Sequence, residues 1–201
     1  MDYEERYHRQ LILPEIGVEG QEKLSKAKVL IVGVGGLGSP IAIYLAGAGI
    51  GTIGLIDDDV VSVTNLQRQV LYSEEEVGLS KALHAKKRLL SLNSSITVNA
   101  YPFRLKEENA REIIQEYDII VDGTDNFLVR FLISDVCKEL GKTYVYGAIC
   151  GLEGQVAVLC KGNATYRTLF PDEKETLAMP HPGKQVVGVT PAVIGSVEAS
   201  Q

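Results

Sequence analysis

The sequence is short of cysteine and of basic charge. Its three cysteines, Cys137, Cys150 and Cys160, form an odd set without a Cys-x-x-Cys pair, which supports neither a disulfide framework nor a zinc knuckle. We expect all three to be small buried hydrophobic residues. Lys and Arg number 20 against 26 Asp and Glu, for a formal net charge of -6. Because the backbone of a nucleic acid favours a basic surface, no nucleic acid is expected as a partner.

Charge is absent altogether from residues 30–56, a run long enough to cross a membrane. The run contains eight glycines and Pro40, however, at positions that a strand, a turn, a helix and a second strand require. We therefore expect a folded core and no membrane partner. The first residues are charged and lack the apolar centre of a secretory signal, so the cytoplasm is the expected location.

The most informative motif lies inside this run. A buried strand at residues 29–32 precedes a turn, and a second strand, ending at Asp57, follows after an apolar helix. The glycines of the turn are Gly33, Gly35, Gly36 and Gly38. A Gly-x-Gly-x-x-Gly turn lets the backbone approach a phosphate, and an acid after the second strand can bind a ribose, so we expect a bound nucleotide. The alternatives are glycines that serve packing alone and a strand-end turn role for Asp57.

The alternation of strands and helices predicts an α/β fold with a Rossmann-like wound, mostly parallel sheet and helices on both faces. We expect a single domain in four parts: a helical arm at residues 1–27, a nucleotide-binding core at 28–160, a crossover loop at 161–189 and the start of a C-terminal helix at 190–201. Further helices are predicted at residues 81–92, 107–117 and 127–140, and further strands at 96–100, 118–121, 144–146 and 155–159.

The two ends of the chain carry weaker signals. Four apolar residues of the arm recur at roughly helical spacing and predict one amphipathic stripe: Tyr7, Leu11, Ile12 and Ile16. Residues 165–184 show no periodicity and are expected to form a long loop of the kind that is usually functional or mobile. A hydroxyl cap at Thr190 and a first-turn proline are typical of a helix start. That helix has little length to bury, so its end is expected to fray.

Three segments are expected to converge beyond the carboxyl ends of the strands: the glycine turn, Asp57 and residues 122–126. A carboxylate beside phosphates is unfavourable unless a cation bridges them, so Asp125 is expected to bind magnesium; its alternative role is to cap the following helix. Arg68 and Lys81 are solvated charges on most proteins, but here they follow strand-end loops on the same side and could neutralise a triphosphate. That combination favours phosphoryl or nucleotidyl transfer over hydride chemistry.

Seven short segments, in the same order along the chain, resemble those of one known family. They are RYHRQ (6–10), GVGGLGSP (33–40), DDDVV (57–61), NLQRQ (65–69), GLSK (78–81), DGTDN (122–126) and EGQ (153–155). The family is the ThiF/MoeB/HesA group, which is related to the ubiquitin-activating enzymes. The resemblance implies an adenylyltransferase that uses ATP and magnesium to adenylate the C-terminal Gly-Gly carboxylate of a ubiquitin-like sulfur carrier protein, as in thiamin or molybdopterin biosynthesis, and that releases pyrophosphate.

The resemblance also implies roles for individual side chains. The implied nucleotide site consists of Asp57 for the ribose, Asn65, Arg68 and Lys81 for the phosphates, Asp125 for magnesium, and Asp59, Gln69 and Asn126 nearby. The residues expected to act in catalysis are Arg68, Lys81, Asp125 and Arg9. Arg9 resembles an arginine that reaches the triphosphate of the neighbouring subunit, which implies a homodimer. No side-chain nucleophile is needed, because the carrier's carboxylate attacks the α-phosphorus itself.

Three departures from the family pattern modify these expectations. In place of a zinc-binding Cys-x-x-Cys the chain has Thr165 and Thr168, whose hydroxyls are poor zinc ligands, so no zinc site is expected. A cysteine that some members use for sulfur transfer is replaced near His181, so the reaction is expected to stop at adenylation. The chain also stops where the family usually continues, and we expect a truncated C-terminus.

Two other functions fit part of the sequence. A nicotinamide-dependent (NAD) oxidoreductase would share the glycine turn and Asp57, but it leaves Arg68, Lys81 and Asp125 together unexplained. A catalytically degenerate module that binds nucleotide or carrier without turnover would fit the short C-terminus and the missing cysteines. The sequence does not identify the carrier, and Cys150 is expected to be buried and inert.

Overall fold

At the centre of the computed structural model, which describes residues 3–162, 164–179 and 185–201, lies one six-stranded sheet. Its strands are β1 (Lys28–Val32), β2 (Thr52–Ile56), β3 (Thr97–Tyr101), β4 (Ile119–Asp122), β5 (Thr143–Cys150) and β6 (Glu153–Cys160). In the order β3-β2-β1-β4-β5-β6, the first five strands run parallel, and β6 is antiparallel to β5. The predicted Rossmann-like, mostly parallel sheet is therefore confirmed.

Helices cover both faces of this sheet, as expected. Those in the described ranges are α1 (Tyr3–Leu11), α2 (Gly17–Lys26), α3 (Gly38–Ala48), α4 (Lys81–Leu92), α5 (Glu107–Ile114), α6 (Phe127–Leu140), α7 (Tyr166–Leu169), α8 (Glu173–Ala178) and α9 (Val189–Ala199). Side chains alternate along β1, so Val29 and Ile31 join a core with α3 and α4, whereas Leu30 and Val32 join a core with α5 and α6. The two cores hold the carboxyl ends of β1, β2 and β4 at one edge of the sheet.

The uncharged run at residues 30–56 is part of this sheet core, where it forms β1, α3 and β2. Glycine also marks the end of a helix in this run: α3 ends at Ala48, and Gly49 after it has a φ of 86°. Within the part of the chain that the structure describes, no helix has both the length and the apolar character to cross a membrane.

The N-terminal arm contains two helices where one apolar stripe was predicted. The first helix ends at Leu11, and Ile12 is exposed in the turn before α2. Pro14 and Gly17, whose φ is 56°, do not suit a continuous helix. The prediction of a stripe through Ile12 is therefore wrong, although Tyr7 is buried and accepts a hydrogen bond from Asn93 Nδ2 at 2.8 Å.

The segment at residues 161–189, expected to be a loop without secondary structure, contains α7 and α8. These helices have four and six residues, too few for a helical period to show in the sequence. The Thr168 hydroxyl accepts a hydrogen bond from the Thr165 N–H at 3.1 Å, so this pair serves the start of α7. Residues 163 and 180–184, which include His181, lie outside the described residues.

The last helix, α9, differs from its prediction at both ends. It begins at Val189 with Gly188 at the cap position, while the Thr190 hydroxyl donates to the carbonyl oxygen of Gly151 at 3.2 Å. The helix packs against α3, β5 and β6, and Glu198 near its end is buried. The prediction of a Thr190 cap is therefore wrong, and so is the premise of the fraying prediction that this helix buries little surface; fraying itself stays a prediction.

Candidate nucleotide site

A cavity of about 670 Å³ lies beyond the carboxyl ends of β1, β2 and β4, where the order of the strands reverses. Of the residues expected at the nucleotide site, those that line the cavity are Gly33, Gly35, Gly36, Asp57, Asp59, Asn65, Arg68, Gln69, Lys81, Asp125 and Asn126. Two expected residues do not line it: Gly38 is buried at the start of α3, and Arg9 is exposed on α1. The sheet thus gathers groups that are far apart in the sequence.

The turn after β1 is built around Gly33. Its φ is 87°, and a Cβ atom there would lie 2.6 Å from the carbonyl oxygen of Gly123, so only glycine fits. The Gly33 N–H donates to the carbonyl oxygen of Ile56 at 2.8 Å, which joins the turn to the end of β2. Gly33 therefore serves close packing as well as lining the cavity, and Gly35 and Gly36 border the cavity just before α3. The N-terminus of α3 is placed to receive an anion.

Asp57 connects the end of β2 to the glycine turn. Its Oδ2 accepts a hydrogen bond from the Val34 N–H at 2.8 Å, and its Oδ1 accepts one from the Asp59 N–H at 2.9 Å. Burial raises the pKa of Asp57, while the Val34 N–H and the positive charge of Lys81 oppose that rise. Asp57 thus has the strand-end turn role, and each oxygen keeps a lone pair for a ligand hydroxyl.

Lys81 and Arg68 supply positive charge to the cavity. The side chain of Lys81 is only 6% exposed, and its Nζ lies 2.9 Å from Oδ2 of Asp59. The Arg68 Nη1 donates to the carbonyl oxygen of Thr64 at 3.0 Å. Because a guanidinium has five N–H donors, others remain for an anion.

Amide side chains at the cavity wall mostly serve local structure. The Asn65 Oδ1 accepts a hydrogen bond from the Ser62 N–H at 3.0 Å at the start of a short 3₁₀ helix. Gln69 is buried, and its Oε1 has no hydrogen-bond partner within the described ranges. A buried acceptor of this kind is normally paired, so Gln69 offers an unused acceptor at the wall.

Asp125 stands apart from its neighbours because its carboxylate has no hydrogen bond or ion pair to any described residue. The helix cap beside it is Asn126, whose Oδ1 accepts a hydrogen bond from the Val129 N–H at 3.2 Å, so the alternative of a capping role for Asp125 is wrong. Asp125 is exposed and lines the cavity. Free carboxylate oxygens are ligands that magnesium prefers.

The acidic run after β2 fits a metal less well. Carboxylate oxygens of Asp57, Asp58 and Asp59 lie within 4.8 Å of one another. Each is engaged by the protein, however: Asp57 by two backbone N–H groups, Asp59 by Lys81, and Asp58 by Arg104 at 3.3 Å. The donor chemistry therefore favours Asp125 as the carboxylate available to a cation.

A buried ion pair that the sequence pattern did not reveal holds the loop before α6. Arg130 Nε lies 3.1 Å from Asp122 Oδ2, with both side chains almost fully buried. The Tyr144 hydroxyl donates to the same oxygen at 2.8 Å, and Arg130 Nη2 donates to the carbonyl oxygen of Thr124 at 2.7 Å. The sequence signal that could have revealed the burial of Arg130 is helical spacing, because Arg130 lies on the same face of α6 as the buried Cys137.

Glu198 is a second buried acid that was not foreseen. Both of its carboxylate oxygens lack a partner in the part of the chain described, and a side chain at Gly147 would collide with them. Burial raises the pKa of Glu198 to about 10, with the charge of Asp122 adding to the rise and that of Arg130 opposing it. Glu198 is therefore protonated in the folded protein at neutral pH.

The raised pKa of Glu198 predicts that the folded state loses stability as pH rises. The carboxyl titrates near 4.5 when unfolded and near about 10 when folded, so between these values the folded state holds one extra proton. The free energy of unfolding should then fall by up to about 1.4 kcal/mol per pH unit. Glu198→Gln should flatten this slope in urea unfolding from about pH 6 to about pH 9, whereas exposed Glu116→Gln should not. Equal slopes in wild type and Glu198→Gln would contradict the assignment.

The cysteines divide into two kinds. Cys137 and Cys160 are buried, as predicted, and burial raises the pKa of both thiols. Cys150 is exposed and lines the cavity, so the prediction that it is buried is wrong. It lies at the last position of β5, where the strand emerges from the core.

The fold and the site are typical of a nucleotide-binding protein: a wound sheet with a glycine turn, and basic side chains and a free carboxylate at its switch point. The family model described as the ThiF family matches residues 7–201. The chain belongs to the ThiF family, as the resemblance implied.

Several known proteins are similar to this chain. A "Sulfur carrier protein adenylyltransferase" of Thermus thermophilus is 49% identical, over 98% of this chain and 75% of its own length. A "Probable molybdopterin-synthase adenylyltransferase" of Porphyra purpurea is 48% identical, over 98% of this chain and 52% of its own length. A crystal structure of E. coli MccB with ATP has a TM-score of 0.76 at 28% identity, over 90% of this chain and 55% of that one. The chain thus spans about half to three quarters of these proteins.

Proposed function

We propose that this chain adenylates the C-terminal Gly-Gly carboxylate of a ubiquitin-like sulfur carrier protein, with ATP as the donor and pyrophosphate as the leaving group. Relatives named as adenylyltransferases support this reaction class. The observation that carries the proposal is the placement of Arg68, Lys81 and Asp125 around one cavity next to the N-terminus of α3. A nucleoside triphosphate is the ligand class that uses two cations and a metal-binding carboxylate together.

The proposed reaction needs no nucleophilic side chain. A carboxylate oxygen of the carrier attacks the α-phosphorus of ATP, and the bond from that phosphorus to the bridging oxygen of pyrophosphate breaks. Arg68 and Lys81 are placed to hold the phosphates in line and to stabilise the charge on the departing pyrophosphate. Asp57 is placed to accept hydrogen bonds from the ribose hydroxyls.

We assign magnesium to Asp125, because this carboxylate borders the cavity and makes no hydrogen bond or ion pair to a described residue. When bound, the ion would neutralise phosphate charge. Asp125 itself would hold the ion, and the backbone of the loop that Arg130 fixes would keep that carboxylate at the cavity.

We also propose that the working unit is a homodimer. Arg9 is exposed on α1 and does not line the cavity of its own chain, so a contact between Arg9 and the triphosphate needs a second copy. The three cysteines are free thiols, which fits a reducing compartment such as the cytoplasm.

An exchange assay tests the proposed function. The chain is expected to move labelled pyrophosphate into ATP when a carrier ending in Gly-Gly is present, and not when the final glycine is removed from that carrier. A panel of thiamin-type and molybdopterin-type carriers would identify the partner. Carrier binding by calorimetry without exchange would favour a degenerate binding module, and binding of NADH in place of ATP would favour an oxidoreductase.

A further inference from the structure

The ammonium of Lys81 forms one ion pair in the described structure, and its partner is Asp59, while the Asp57 carboxyl acts on it only at longer range. The Lys81 side chain is 6% exposed, its Nζ lies 2.9 Å from Asp59 Oδ2, and no other described acid forms an ion pair with it. The Asp59 side chain itself is 66% exposed to solvent. A buried ammonium without a partner is costly, so this contact decides where the end of the Lys81 side chain lies.

The backbone around this pair holds the two residues in register. The Lys81 N–H donates to the carbonyl oxygen of Asp59 at 3.0 Å, and the Asp59 N–H donates to Asp57 Oδ1 at 2.9 Å. Asp59 is therefore fixed on one side to the residue placed at the ribose and on the other to the residue placed at the phosphates. Both bonds use backbone atoms of Asp59, so neither depends on the Asp59 side chain.

An ammonium on a four-carbon stem is a mobile point charge with three N–H donors. If Asp59 accepts one of the three, the stem is held and two donors remain for phosphate oxygens at the cavity. Binding then costs less side-chain entropy than it would with a freely rotating lysine. The ion pair thus prepares Lys81 for a triphosphate.

We propose that Asp59 is a positioning residue, which holds the Lys81 ammonium in place for the phosphates of ATP beyond the α-phosphate. This inference rests on the proposed function. Asp59 acts through Lys81 and need not touch the nucleotide itself. Its effect should therefore appear with ATP, should be absent with AMP, and should depend on the presence of Lys81.

The chain provides a matched control in the adjacent residue. Asp58 carries the same charge and also forms an ion pair, but with Arg104, and both of those side chains are about half exposed. Loss of an exposed pair of this kind has little effect on the stability of the fold. Comparison of Asp59→Ala with Asp58→Ala therefore separates the proposed role from a general loss of negative charge after β2.

The experiment is a double-mutant cycle read by calorimetric binding of ATP and of AMP. Asp59→Ala is expected to weaken ATP binding by about tenfold and to leave AMP binding within about twofold of wild type. Asp58 also borders the cavity, but it does not contact Lys81, so Asp58→Ala should change ATP and AMP binding by the same factor. In a Lys81→Ala background, adding Asp59→Ala should change ATP binding by less than about twofold. Asp59→Glu, which keeps the charge, should recover part of the lost affinity.

Different results overturn different claims. If wild type does not bind ATP, or if Lys81→Ala binds it as wild type does, the proposed function fails and this inference fails with it. If Lys81→Ala loses ATP binding but Asp59→Ala does not, Asp59 has no positioning role. The same conclusion follows if Asp59→Ala weakens ATP and AMP equally, or if its effect is undiminished without Lys81. Circular dichroism of each variant checks that it is folded.

Discussion

Replacing Asp125 with asparagine is expected to slow ATP–pyrophosphate exchange by about 10²- to 10³-fold while leaving the fold intact. Asparagine keeps the shape of the side chain but removes the charge that would hold magnesium. Asp125 makes no hydrogen bond or ion pair to a described residue, so its loss should not change the free energy of unfolding by more than about 0.5 kcal/mol. The measurement is the exchange rate at saturating ATP and carrier over a range of magnesium concentrations.

A control variant makes this prediction specific. Glu112 is exposed on α5, outside the cavity, so Glu112→Gln removes the same charge and should exchange as wild type does. If Asp125→Asn retains exchange within about threefold of wild type, the free carboxylate has no part in the reaction and the magnesium assignment is wrong.

Replacing Arg130 with methionine is expected to destabilise the protein by about 3–5 kcal/mol, because the change leaves the carboxylate of Asp122 buried without a counter-charge. Asp122 is fully buried and Arg130 nearly so. Arg130 also donates to the carbonyl oxygens of Thr124 and Gly147, which would lose a donor. Urea unfolding at constant pH measures the loss.

Tyr144→Phe is the comparison for Arg130. It removes one neutral hydrogen bond to the same Asp122 oxygen, so it should cost only about 1–2 kcal/mol. If Arg130→Met costs no more than Tyr144→Phe, the buried pair is not the main constraint on this loop. A further variant, Asp122→Asn with Arg130→Met, should recover stability relative to Arg130→Met alone, because it removes the stranded charge.

The most predictable part of the fold was the unit from β1 to β2. An uncharged run with glycines at the turn and Asp57 after its end predicts a strand, a turn, a helix and a second strand. The structure confirms this prediction. The end of α6 at Leu140 was equally predictable, because a glycine follows it in the sequence, and the structure shows that this residue, Gly141, has a φ of 64°. Such elements were predictable because their signals are local.

The wrong predictions concern segments too short to give a sequence signal and residues whose burial depends on tertiary packing. The α7 and α8 helices are too brief to show a period, and Ile12 fits a helical stripe that the chain does not continue. Cysteine is usually buried, and Cys150 belongs to a strand. It lies at the end of β5, however, where the strand has left the core, and it borders the cavity. In each case the spacing of apolar residues does not say where the surface of the molecule will be.

By itself the sequence determined the family, the parallel sheet and eleven of the residues that border the cavity, because turn chemistry and periodicity are properties of neighbouring residues. Only the tertiary structure decided which charged groups are paired and which are free: Arg130 with Asp122, Lys81 with Asp59, and Asp125 with no described partner. It also decided that Glu198 is buried against Gly147. The reason is physical, since the free energy of a charge depends on the solvent and the partners around it, and these come from parts of the chain that only folding brings together.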